Sequence, residues 1–233
     1  LLLYGDMAMR TCKDLDLLVP REQFERTEAL LLRDGYVRMH GDAERGPKER
    51  GDADEHHVSF VHPARRVQLE IHWRLSRGIE SAPEFGELWA RGRRIDIGGV
   101  TGRTLGKEDL LLYLLVHGAE HGWFRLRWLL DIERLLAVGV RWEEIARLMP
   151  GYRCEAAAGQ AAILLAELLG APVPREMRQY ARSRRARALA KAALPLIASS
   201  RPAPELPAFI AYSLLLKSGG RRLRYMFYPN ARD

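Results

Sequence analysis

The rhythm of apolar and polar positions changes once along the chain. Up to about residue 104 short stretches alternate with a period of two; from Lys107 onward apolar residues recur every three to four positions. Residues 14–19, Asp-Leu-Asp-Leu-Leu-Val, read as a strand, and Pro20 ends it while suiting the first turn of a helix. Residues 21–33 predict that helix, with Phe24 and Leu31 on one face and Gly35 as its stop. Residues 36–39 predict a short strand. Residues 41–55 hold Gly, Pro and charges with almost nothing apolar, the composition of a loop. Residues 57–62 and 67–75 alternate again across Pro63-Ala64-Arg65-Arg66 and predict a β-hairpin, and residues 95–104 add a strand pair.

The helical rhythm then marks residues 107–120, 126–137, 142–148, 155–169, 175–183, 187–198 and 207–217. The fold class expected is α+β: a mixed sheet with flanking helices over residues 1–104, followed by an all-helical domain over 105–233. No internal repeat, low-complexity segment or Walker-type glycine loop is present.

Composition narrows the setting. The chain has 233 residues, 47% apolar and 29% charged, an ordinary globular mixture. No apolar run reaches the roughly 18 residues that span a bilayer. The first residue is Leu1, and Leu1-Leu2-Leu3 reads as the middle of a helix, so the chain reads as a fragment. Cys12 and Cys154 match no metal-ligand spacing, which suits a reduced, cytoplasmic protein. The net charge of +7 is uneven: residues 175–233 hold thirteen Lys and Arg against three Asp and Glu. Such a region attracts phosphates or nucleic acid. Its regular apolar spacing favours solvated arginine-rich helix faces over a nucleic-acid site.

Side chains alternate between the faces of a strand. Asp14 and Asp16 therefore share one face, with Leu15, Leu17 and Val19 on the other. Residues 67–75 repeat the arrangement, with Val67, Leu69, Ile71 and Trp73 opposite Arg66, Gln68, Glu70, His72 and Arg74. If the two strands neighbour each other, Glu70 joins the two aspartates. Three converging carboxylates repel one another unless cations sit between them, and Mg2+ (or Mn2+) shared with substrate phosphates is the expected partner.

These residues carry a family resemblance. Arg10-Thr11-Cys12-Lys13-Asp14-Leu15-Asp16-Leu17-Leu18-Val19, with Asp34-Gly35-Tyr36 after the helix, resembles the opening block of the uncharacterised bacterial nucleotidyltransferase family, within the DNA polymerase β-like superfamily. Leu69-Glu70-Ile71-His72-Trp73-Arg74 resembles the next block. His117-Gly118-Ala119-Glu120-His121-Gly122-Trp123, with Arg127-Trp128-Leu129-Leu130-Asp131-Ile132, resembles the third. The resemblance covers roughly residues 1–150 and implies metal binding by Asp14 and Asp16, with Glu70 as the third carboxylate. The superfamily's glycine-containing phosphate-binding turn would fall before Leu1, so the α/β domain is expected to be truncated at its N-terminus.

Around this acidic set, Arg10, Lys13 and His72 are candidates for phosphate contact. His117 and His121 share a helix face at i, i+4 and, with Asp131, offer a zinc-type ligand set. Their apolar neighbours favour a packing role. Trp123, Trp128 and Trp142 read as core or domain interface. The expected activity is transfer of a nucleoside monophosphate from a nucleoside triphosphate to an unidentified acceptor hydroxyl. The rival readings are a non-catalytic nucleotide-binding module of the same fold and a phosphohydrolase using His117, His121 and Asp131.

Overall fold

A computed structural model describes residues 3–10, 12–39, 56–76, 83–199 and 206–216. The chain divides into two compact units, residues 1–92 and 93–233. The segment 41–55, expected to be a loop, lies outside the described residues.

The first unit runs β1 (Leu15–Leu18), a 3-10 turn (Arg21–Gln23), α1 (Phe24–Arg33), β2 (Val37–Arg38), β3 (His57–His62), β4 (Val67–His72) and α2 (Phe85–Arg91). The strands form one sheet in the order β1-β4-β3-β2. β1 runs parallel to β4, while β4–β3 and β3–β2 are antiparallel. The expected hairpin is present. Its turn closes with Arg66 N–H donating to the His62 carbonyl at 2.8 Å, and Arg66 sits in the left-handed region at φ 53°. Gly35 ends α1 at φ +90°, where a side chain would be strained and would also press on the His62 ring at 3.3 Å.

One face of the sheet carries the core. Phe24 of α1 packs with Val58, Phe60, Leu69 and Ile71, and Leu31, Tyr36 and Trp73 close its edge. Phe60 and Ile71 are fully buried, each contributing about 1.5–3 kcal/mol by removal from water. Trp73 meets Phe24 edge to face at 5.2 Å, and the Arg21 guanidinium lies 4.3 Å above Trp73. Leu15 and Leu17 point to the same side, yet remain 50% and 45% exposed. β1 is an edge strand, and α1 packs on β3 and β4.

The second unit opens with the hairpin β5 (Arg93–Ile97) and β6 (Val100–Thr104), joined by Gly98-Gly99, both at positive φ as a tight two-residue turn requires. This strand pair therefore groups with the helices. Then follow α3 (Lys107–Glu120), α4 (Arg127–Val138), α5 (Trp142–Tyr152), α6 (Glu155–Leu169), α7 (Arg175–Ala181), α8 (Arg184–Ala198) and α9 (Leu206–Leu216). α3 packs against α4, α5 and α6, and α6 packs against α7 and α8. α3 and α6 are buried over much of their length, which explains why their sequences are apolar almost all round. No helix among the described residues is long and apolar enough to cross a membrane.

The sequence did not signal α2 by periodicity, because seven residues are too few. Its mark is a capping box: the Glu84 side chain accepts from the backbone at Glu87, and the Glu84 N–H donates to the Glu87 carboxylate at 3.0 Å.

Candidate metal centre

The face of the first sheet opposite its core is polar. Parallel pairing of β1 with β4 sets Asp16 level with Glu70 and Leu18 level with His72. The Val19 N–H donates to the His72 carbonyl at 2.9 Å and fixes that register at the strand end. Antiparallel pairing of β3 with β4 sets His57 level with His72 and Ser59 level with Glu70. Three neighbouring strands thus deliver carboxylates and imidazoles to one patch.

His72 is the hub. It is only 8% exposed, and its Nε2 lies 3.5 Å from Asp16 Oδ1 and 3.4 Å from Glu70 Oε2. Those are ion-pair distances, but Nε2 is buried without hydrogen-bond geometry to either oxygen. Burial pulls the imidazole pKa down; Asp16 and Glu70 outweigh it and push the value up to about 9. Glu70 is held below the ordinary glutamate range, chiefly by His72 and further by the charge of His57, against the opposing effect of burial.

Asp14 lies just ahead of β1, half-buried. Burial raises its pKa first, and the charges of Glu70 and Asp16 raise it further; Lys13 acts the other way. Asp14 is therefore coupled electrostatically to both carboxylates and to Lys13. It does not belong to either of the ligand clusters that draw within 4.8 Å among the described residues, which are Asp16–Glu70–His72 and His56–His57–His72. Lys13 is exposed and Arg10 half-buried.

His56 and His57 are neighbours of the acidic set, outside it, that sequence reasoning missed. Their rings meet at 4.5 Å, and His57 stacks on His72 at 4.8 Å with 24° between planes. A signal for them existed. A four-residue turn that pairs His62 with Val67 necessarily pairs His57 with His72.

His117, His121 and Asp131 do not form such a cluster among the described residues. The two imidazoles lie 4.6 Å apart and pack on Trp128 at 5.2 and 5.3 Å. The surrounding block is a helix ending. The Trp123 N–H donates to the Gly118 carbonyl at 2.9 Å, and the ring fills the space where a Gly118 side chain would stand, 2.3 Å away. Trp123 and Trp128 are buried, Trp142 partly so.

The oxygen donors of Asp16 and Glu70, beside an Asp14 carboxyl raised by burial and then by their charge, suit a hard divalent cation. The imidazoles add donors that suit softer ions. No curated protein and no solved structure matches the chain. A family model does match, over residues 1–170, and it spans the polar sheet face together with the His117–Trp123 block. The chain belongs to that family, the uncharacterised nucleotidyltransferases.

Proposed function

We propose that the polar face of the first unit binds ATP or another nucleoside triphosphate with Mg2+ or Mn2+, and passes its nucleoside monophosphate to an acceptor hydroxyl. The observation that carries this reading is the register of two parallel strands, which sets Asp16 against Glu70 within the field of Asp14. Family membership supplies the reaction class. Asp14, Asp16 and Glu70 would hold the cation. When bound, it would offset the charge of the phosphates and orient the triphosphate for displacement.

The remaining chemistry falls to the chain's own groups. Lys13 and Arg10 stand near the acidic set in sequence and are candidates to steady phosphate oxygens. His72, within ion-pair distance of both carboxylates, helps to keep Asp16 and Glu70 ionised and aligned. The acceptor oxygen forms a bond to the α-phosphorus as the bond to pyrophosphate breaks. The acceptor's proton leaves to Glu70 or to water.

Pyrophosphate release from each triphosphate, with a candidate acceptor present, measures the activity. Asp14→Asn and Asp16→Asn should each lower magnesium-dependent turnover by about 10²–10³, the usual worth of a preorganised electrostatic contact. Normal turnover in the double variant eliminates the mechanism. Failure of the wild type to bind any magnesium–nucleotide complex removes the reading altogether.

A further inference from the structure

A second ligand set adjoins the acidic face and does not depend on nucleotidyl transfer. We propose that His56, His57 and His72 hold a transition-metal ion of the zinc class, beside the carboxylates and distinct from the magnesium that these would bind.

The donor atoms are drawn together before any ion is added. His57 Nδ1 lies 3.3 Å from His56 Nε2. Two imidazole nitrogens on a tetrahedral ion, each at about 2.0–2.1 Å, stand about 3.3–3.4 Å apart. All three imidazoles offer a nitrogen within 4.8 Å of the others, so modest side-chain rotation brings them to zinc–nitrogen distances. The backbone beneath them is rigid. His57 and His72 are a ladder pair, and the Trp73 N–H donates to the His56 carbonyl at 3.0 Å. Sites built on strands keep their geometry better than sites built on loops.

The outer contacts fit as well. The other nitrogen of His57, Nε2, faces Glu70 Oε2 at 3.8 Å. A carboxylate behind a ligating imidazole is the usual way to fix its tautomer and raise its basicity. His72 brings a buried ring centred 4.8 Å from that of His57 and 5.4 Å from that of His56, and it gives up its proton when it ligates an ion. Three imidazoles select zinc, or a neighbouring first-row ion, over magnesium, which prefers oxygen.

The test uses the full chain, stripped of metal by chelation and titrated with Zn2+ alone. One ion per chain should bind. Replacing both histidines, His56→Gln with His57→Gln, should weaken zinc at least about 100-fold, beyond the loss of an outer contact. The same variant should leave magnesium–nucleotide binding within about twofold, whereas Asp16→Asn should weaken magnesium–nucleotide binding and retain zinc. Nitrogen-15 histidine spectra of the wild type avoid any question of folding. One equivalent of zinc should shift the His56, His57 and His72 rings, among the seven histidines of the chain, and leave His117 and His121 in place. Absence of stoichiometric zinc, loss of zinc with Asp16→Asn but not with the histidine pair, or shifts confined to His117 and His121 each overturns the proposal. None of those results bears on the nucleotide reading, which stands or falls on the magnesium arm.

Discussion

In the helical unit, several buried polar side chains meet partners that complete them. Tyr152 Oη donates to Asp109 at 2.8 Å, Gln160 Nε2 donates to the Leu189 carbonyl at 3.0 Å, and Tyr212 Oη donates to Gln160 Oε1 at 3.1 Å. Buried Glu108 accepts from the Arg141 backbone at 3.0 Å and from its guanidinium at 3.2 and 3.3 Å. In the sheet unit, buried His72 faces two carboxylates at ion-pair distance without bonding either, and Asp14 is crowded by like charge. Polar burial in the first case holds a fold together. In the second it concentrates charge at one patch, as functional sites often do. The difference separates residues whose loss unfolds the chain from residues whose loss silences it.

Substitutions can sharpen or break that contrast. The largest effect belongs to the acidic face. Asp16→Asn should cost about 3–4 kcal/mol of transition-state stabilisation while leaving the melting temperature of the metal-free protein nearly unchanged; a large fall in Tm would place Asp16 among the structural groups. Next comes Gly159, where an added Cβ would stand 2.3 Å from the Tyr180 carbonyl oxygen and 2.7 Å from Ala186 Cβ. Gly159→Ala should destabilise by about 1–3 kcal/mol, the cost of overpacking, as read by urea denaturation, and magnesium–nucleotide affinity should hold below the unfolding range.

A smaller effect belongs to Glu108. Burial raises its pKa, but hydrogen bonds from Arg141 reverse that and leave it below the ordinary value of 4.5. A depressed carboxyl contributes stability above its unfolded value and loses it as the pH falls through the folded one. Arg141 is exposed, so Arg141→Ala should lower stability only modestly at pH 7, and the deficit should shrink below pH 4.5 in acid denaturation. The smallest effect has the opposite sign. The pKa of Asp14 is raised by burial and by its neighbours, so Asp14→Asn should slightly raise the Tm of the metal-free protein near neutral pH. A lowered Tm would mean that Asp14 is not under electrostatic stress.

Local signals carried most of the fold. The Asp14–Val19 alternation, the 57–75 hairpin and the helices from Lys107 onward are short-range patterns, and the strands and helices follow them. Two features escaped for want of a local signal. The partnership of β1 with β4 joins residues more than fifty positions apart, so neither the parallel pairing nor the edge position that leaves Leu15 and Leu17 exposed is written in either strand. The acidic set was legible in part. Asp16 and Glu70 follow from alternation once the strands are neighbours. Asp14 falls outside the tight ligand group because it precedes the strand, where alternation no longer fixes direction. His57 reads as the start of a strand, and its place beside His72 appears only when the hairpin register is drawn.

The parallel pairing of β1 with β4 also sets the order in which the site is assembled. A hairpin such as β3–β4 closes in about 1–10 μs, bringing His57, Glu70 and His72 together through a four-residue turn. Asp16 arrives by a pairing that must first close a loop of more than fifty residues, which delays it entropically. The donor set is thus completed by its sequence-distant member, and β1 is the strand whose rescue or loss decides whether a folding chain reaches the site proposed to hold a triphosphate. Phi values near one around residues 62–67 and near zero at Leu15–Leu18 would be the kinetic record of that sequence of events.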